Sequence, residues 1–149
     1  MPLPTAGELI ADKRQSLMSV SPDTTVREAL RVMEKNDIGF LPVIDGDKLV
    51  GVVSERDVAR GAILHDSTAV REIKTSHVHT VRPETNVPEC ITLMHRCRIR
   101  HLPVLSGTTV VGVLSVRDLM AALIERHERL LRRLEEERVT MLFPSPTSY

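Results

Sequence analysis

Residues Gly51-Val52-Val53-Ser54-Glu55-Arg56-Asp57 return as Gly112-Val113-Leu114-Ser115-Val116-Arg117-Asp118, 61 positions later. The same offset joins Val20-Ser21-Pro22-Asp23-Thr24 to Val81-Arg82-Pro83-Glu84-Thr85, and Ile38-Gly39-Phe40-Leu41-Pro42-Val43 to Ile99-Arg100-His101-Leu102-Pro103-Val104. Some forty residues superpose without a gap, and a little under half are identical. A repeat of this extent fixes the architecture before any local reading does. Each copy of roughly 45 residues is marginal by itself, so the two are expected to pack on one another.

Each copy reads as strand, helix, strand, strand, helix. In the first, Met18 to Val20 is a short strand ending at Pro22. Thr25 and Glu28 form a capping box, and Val26, Ala29, Leu30 and Met33 follow at helical spacing. That helix is expected to end near Asn36-Asp37. Phe40–Ile44 and Leu49–Val53 flank a hairpin signal at Asp45-Gly46-Asp47, and Ser54 opens a second helix. In the second copy Val78 to Val81 is the short strand, and Asn86 caps a helix that tolerates Pro88 in its first turn. Two strands follow around Ser106-Gly107-Thr108, and Ser115 opens the last helix.

The expected division is a lead-in (1–17), unit one (18–63), a connector (64–78), unit two (79–124), a helical extension (125–139) and a flexible tail (140–149). Ala6 to Lys13 has the makings of a brief helix, which Gly7 weakens. The connector holds one helical turn near Val70–Ile73. The extension carries Met120, Ile124, His127, Leu131 and Leu134 at alternating spacings of four and three, a packing face within one chain or between two.

Lys plus Arg and Asp plus Glu number 20 each, which argues against bulk electrostatic binding of nucleic acid or an anionic membrane. No apolar run approaches the ~20 residues of a membrane span. Cys90 and Cys97 fall seven apart on one expected helix, roughly 10 Å, too far for a disulfide. Two reduced thiols point to the cytoplasm. His77, His79, His95 and His101 lack a Cys or carboxylate at zinc spacing, so no metal is expected. No Ser-His-Asp order and no Gly-Lys-Ser phosphate loop is present, so no catalytic residues are assigned.

The two Gly-x-x-Ser-x-x-Asp copies, each preceded at the same distance by a Leu-Pro-Val strand and a capped helix, resemble a tandem pair of CBS domains, named after cystathionine beta-synthase and together called a Bateman module. The resemblance covers residues 18–63 and 79–124. It implies an α/β (α+β) fold of two β-α-β-β-α units with pseudo-two-fold symmetry and two clefts between them. It implies adenosine-containing ligands: AMP, ADP or ATP, with S-adenosylmethionine and NAD(H) as further members of the class. Carried across, the first cleft takes Thr24, Ala29, Ile38 and Gly39 from unit one and His101, Ser115, Arg117 and Asp118 from unit two. The second takes Thr85, Cys90, Ile99 and Arg100, with Phe40, Ser54, Arg56 and Asp57.

These residue types suit the task. Asp57 and Asp118 are charged acceptors for ribose hydroxyls. Ser54 and Ser115 stand at helix starts, where free N–H groups favour phosphate. Arg56, Arg100 and Arg117 offer planar forks to phosphate oxygens. His101 is the matching cation of the first cleft only if it is protonated. Gly39 faces Arg100 and Phe40 faces His101 across the repeat, so the clefts are unequal. Against this, Ser-x-x-Asp is itself a capping motif. The expected function is a non-catalytic regulatory module, homodimeric, that relays nucleotide occupancy to a protein partner. The alternatives are a scaffolding dimer with degenerate clefts and, more remotely, a nucleotide enzyme or a redox regulator acting through Cys90.

Overall fold

The computed structural model describes residues 2–13, 16–60 and 65–143. The expected end of unit one at residue 63, and the tail from Pro144 on, lie outside the described residues.

Among the described residues, five helices and four strands run in the order α1 (Ala6–Asp12), α2 (Val26–Asn36), β1 (Phe40–Asp45), β2 (Lys48–Ser54), α3 (Glu55–Arg60), a 3-10 turn (Val70–Glu72), α4 (Val87–Cys97), β3 (His101–Ser106), β4 (Thr109–Ser115) and α5 (Val116–Leu142). The expected capping box of Thr25 and Glu28 opens α2, and Asn86 caps α4 with proline in its first turn. Both helices end on a left-handed residue, Asp37 in one copy and Arg98 in the other. That conformation costs roughly 1–2 kcal/mol for a residue other than glycine. It turns the chain sharply from helix into the segments 38–40 and 99–101.

The hairpins β1-β2 and β3-β4 are copies down to their defects. Both are antiparallel, and both slip register at the same place, after Val43 and after Val104. Both turn through a glycine with φ +62° and open space around it, Gly46 and Gly107. Positive φ at the first loop residue is what a two-residue hairpin turn requires. The inner faces of β1 and β3 bury Leu41, Val43, Leu102 and Val104 completely. Two aliphatic cores result. Ala29, Met33 and Val53 belong to one, and Cys90, Met94, Leu114 and Leu119 to the other.

The strands expected at 18–20 and 78–81 shrink to single bridged residues. Val20 pairs in parallel with Val43, and Val81 with Val104. Pro22 and Pro83 follow closely and lack the N–H that would extend the pairing.

The lead-in is part of unit two. Thr5 and Glu8 form a capping box for α1. The N–H groups of Ala6 and Gly7 donate to the carbonyls of Thr85 and Pro83, and Ala6 is wholly buried beside Val87 and Cys90. Gly7 weakens the helix in sequence but fits here, because a Cβ would stand 2.9 Å from Pro83 Cβ. The connector serves unit one in the same way. Val70 N–H donates to Thr24 O, and Thr75 pairs with Val52 along the free edge of β2. The chain therefore crosses over, each unit being covered by the segment that precedes the other. At its far end α5 continues through Thr140 to Leu142, past the expected boundary of the extension.

A Cβ on Gly51 would meet the carbonyl oxygen of Thr75 at 2.7 Å, a backbone atom fixed by pairing. Gly51→Ala is expected to lower stability by about 1–3 kcal/mol, the usual range for overpacking. Gly39→Ala, whose Cβ would meet only the end of the Glu55 side chain at 3.2 Å, should cost well under half of that. Urea titration of both variants checks this, and equal losses would remove the close-approach explanation for Gly51.

Candidate functional site

The two hairpins meet along β2 and β4. At this junction the rings of Phe40 and His101 stack, with centroids 4.6 Å apart and planes 8° from parallel. The two residues are repeat equivalents. A residue that touches its own equivalent lies at the axis relating the copies, so the stack marks the pseudo-two-fold.

Beside it opens a cleft of about 850 Å³, within the usual range for small-molecule sites. Ile38, Gly39 and Phe40 line it from unit one, and Ser115, Arg117 and Asp118 from unit two. These segments are positioned by two local devices, the left-handed turn at Asp37 and the capped start of α5. Asp118 Oδ2 accepts from Ser115 N–H at 2.8 Å, and Ser115 Oγ accepts from Asp118 N–H at 3.2 Å. The capping reading is thus correct for both copies, since Asp57 accepts from Ser54 N–H at 2.9 Å and from its hydroxyl at 3.0 Å. Capping fixes each carboxylate at its helix start and leaves it partly exposed. It does not remove the group from the surface.

Of the residues expected in the first cleft, Ile38, Gly39, His101, Ser115, Arg117 and Asp118 share this wall. Thr24 does not. Its hydroxyl closes a turn on Ser21 N–H, and Thr85 closes the equivalent turn on Arg82 N–H. Ala29 and Cys90 are fully buried in the two cores and present no surface. Ile99 packs against the unit-two core. Phe40 and Arg100, expected in the second cleft, line the first. Ser54, Arg56 and Asp57 stand together at the start of α3, away from it.

Lys13 was not expected. It reaches the cleft from the end of α1, and its ammonium donates to Asp118 Oδ2 at 2.9 Å and to Val113 O at 2.8 Å. The legible signals were the Thr5–Glu8 capping box and a lysine one turn beyond the apolar Leu9-Ile10 pair. Nothing in the repeat announced which unit that helix would join.

Burial pushes the His101 imidazole below its ordinary pKa, and Lys13 adds to the shift, against an opposing pull from Asp118. His101 is therefore neutral at pH 7, and Lys13 joins Arg100 and Arg117 as a cation of this cleft. Burial alone would raise the Asp118 carboxyl. The hydrogen bonds from Lys13 and Ser115 outweigh it and hold the group below the ordinary carboxylate value. Burial, with Glu89 next, pushes the Cys90 thiol up, which works against the redox alternative. His77 and His79 contact each other edge to face at 5.0 Å, and among the described residues no three His, Cys, Asp or Glu converge as metal ligands.

The sequence profile of the CBS domain matches residues 7–63 and again residues 70–125. The chain belongs to the CBS-domain family. A solved structure of a protein with CBS domains from Burkholderia ambifaria MC40-6 is 35% identical, with a TM-score of 0.76 over 81% of this chain and 94% of that one. The CBS protein CBSX2, solved in complex with AMP, is 28% identical, with a TM-score of 0.73 over 83% and 98%. Inosine-5'-monophosphate dehydrogenase of Methanocaldococcus jannaschii is 35% identical over 108 residues, 71% of this chain. This CBS-domain chain spans only 21% of that enzyme's length.

The depressed imidazole has a thermodynamic consequence. The unfolded chain takes up a proton at His101 near pH 6.5, before the folded chain does, so stability falls as pH drops through that value. Asp118 acts lower down, since its stabilisation is complete above the unfolded carboxylate range. His101→Phe keeps a stacked ring and removes this titration. Between pH 7.5 and 5.5 the wild type should lose several degrees more in Tm than the variant, and parallel slopes would rule the account out.

Proposed function

We propose that this CBS pair is a non-catalytic regulatory module that binds an adenosine nucleotide in the cleft between Ile38–Phe40 and the head of α5. The observation that carries the reading is the placement of Ser115, Arg117 and Asp118 opposite Ile38 and Gly39 on the walls of one 850 Å³ cleft. Asp118 would accept the ribose hydroxyls. Arg117, Arg100 and the N-terminal amides of α5 would take phosphate. Ile38 would offer apolar surface to the base. The complex of CBSX2 with AMP supports the same class of ligand here. ADP, ATP, S-adenosylmethionine and NAD(H) are the other candidates within it.

Occupancy would be relayed to a protein partner in the cytoplasm, across a homodimer. Met120, Ile124, Leu131 and Leu134, the apolar members of the stripe read from the sequence, are all roughly half-exposed or more, so they are not consumed by packing inside this chain. A second copy of α5 would cover them.

Thermal unfolding in the presence of AMP, ADP, ATP, S-adenosylmethionine, NAD and GMP tests the ligand. At 100 times its dissociation constant a ligand adds about 2.7 kcal/mol. An adenine-selective rise in Tm is expected, retained in Asp57→Ala and lost in Asp118→Ala, each variant being compared with its own ligand-free Tm. A flat response to the whole panel rejects nucleotide binding and leaves the scaffolding alternative. Sedimentation velocity tests the assembly. A dimer is expected that Leu131→Glu with Leu134→Glu converts to monomer, and a monomeric wild type at tens of micromolar rejects it.

A further inference from the structure

Lys13 bridges two elements of unit two, the edge of β4 through Val113 O and the head of α5 through Asp118. Its side chain is 28% exposed and that of Asp118 24%, so the pair is largely out of water. Unit one fills the equivalent places differently. Val52, the repeat equivalent of Val113, exchanges two backbone hydrogen bonds with Thr75, at 2.8 and 2.9 Å. Among the described residues, Asp57, the equivalent of Asp118, bonds only to Ser54. Lys74, which follows Lys13 by the same 61 positions but lies in the extended connector, turns its ammonium to Ser76 Oγ at 2.9 Å. Both covering segments thus carry a lysine, and only Lys13 of the two reaches a motif carboxylate.

This delivery decides the charge of the cleft. A half-buried carboxylate left uncompensated attracts a cation, including a cationic group on a ligand. Asp118 is already compensated. Around the cleft Lys13, Arg100 and Arg117 face Asp37 and Asp118, with His101 neutral, so positive charge is in excess. Field lines focus in a concave site, which magnifies the preference for an anion.

We propose that Lys13 sets the charge class of the ligand in this cleft: by neutralising Asp118 it leaves Arg100 and Arg117 in excess over Asp37, and so selects a phosphorylated adenosine over an uncharged nucleoside or one bearing a cationic substituent. The inference rests on the nucleotide reading of the cleft and goes beyond it by naming the residue that discriminates. Lys13 is a specificity determinant that arrives from outside the repeat motif, on a helix that docks on unit two through backbone bonds to Pro83 and Thr85.

Isothermal titration of the full chain with AMP, adenosine and S-adenosylmethionine tests this. The wild type should bind AMP at least about tenfold more tightly than either of the others, a gap of about 1.4 kcal/mol. Lys13→Met should lose most of that ratio by weakening AMP, while adenosine and S-adenosylmethionine hold or gain. Lys13→Arg, which keeps the charge, should retain it. A wild type that binds adenosine or S-adenosylmethionine as tightly as AMP overturns the proposal without any variant. So does a Lys13→Met protein that keeps the wild-type ratio, or that weakens all three ligands equally, as a purely structural lysine would. A wild type that binds none of the three overturns instead the nucleotide reading on which the proposal stands.

Discussion

The free edges of β2 and β4 govern how this chain is put together. A two-stranded hairpin is marginal in water, and an uncovered edge invites pairing with another chain. Here each hairpin gains one bridged residue on one side, Val20 or Val81. On the other side it needs a cover from elsewhere. Unit one takes the backbone of Thr75, and unit two takes α1 and the Lys13 side chain. Because both covers come from segments preceding the opposite unit, neither unit is complete without chain that lies outside its own repeat. The buried glycines Gly51 and Gly112 record the close approach of these covers, since a Cβ on the second would meet Ile10 at 2.5 Å.

The two covers are also what break the symmetry. A strand-like cover satisfies an edge carbonyl with an N–H and brings no charge. A helical cover leaves that carbonyl to be satisfied by a side chain, and the side chain that reaches it is a lysine. The same ammonium then compensates Asp118 and, with burial, keeps His101 neutral against its stack on Phe40. A neutral imidazole stacks without bringing an unpaired charge to the axis. Aromatic contacts of this kind contribute about 0.5–1.5 kcal/mol beyond burial.

Much of this was legible in the sequence, and the limits have physical causes. The hairpins, the caps at Thr25 and Asn86, the Ser-x-x-Asp boxes and the helical turn after Ala69 are local features, set by residues within four positions of each other. The segments ending at Val20 and Val81 are shorter strands than their residues suggest, because a few apolar residues before a proline look alike whether one of them pairs or three do. Placing Ala29 and Cys90 on a cleft wall followed from the family pattern, while the apolar spacing of α2 and α4 already pointed them into the cores. Lys13 was illegible for a different reason. Its partners, Val113 and Asp118, lie 100 and 105 residues away, and which unit α1 covers is decided by tertiary packing on Pro83 and Thr85.

The position of Asp118 gives the proposed nucleotide site a physical route to the far end of α5. It is the N3 residue of a 27-residue helix, roughly 40 Å long at 1.5 Å per residue. The same carboxylate oxygen holds the cap of that helix and the ammonium of α1. A ligand that engages Asp118 therefore acts on the head of α5 and on the cover of β4 together. The far half of α5 has few contacts with its own chain, and its apolar residues stay exposed, so little packing resists a small change of direction at its head. Any shift so produced is bounded by the difference in ligand affinity between the two arrangements. Breaking a partly buried, hydrogen-bonded ion pair costs enough to supply such a difference, and among the described residues Asp118 is the motif carboxylate held in one.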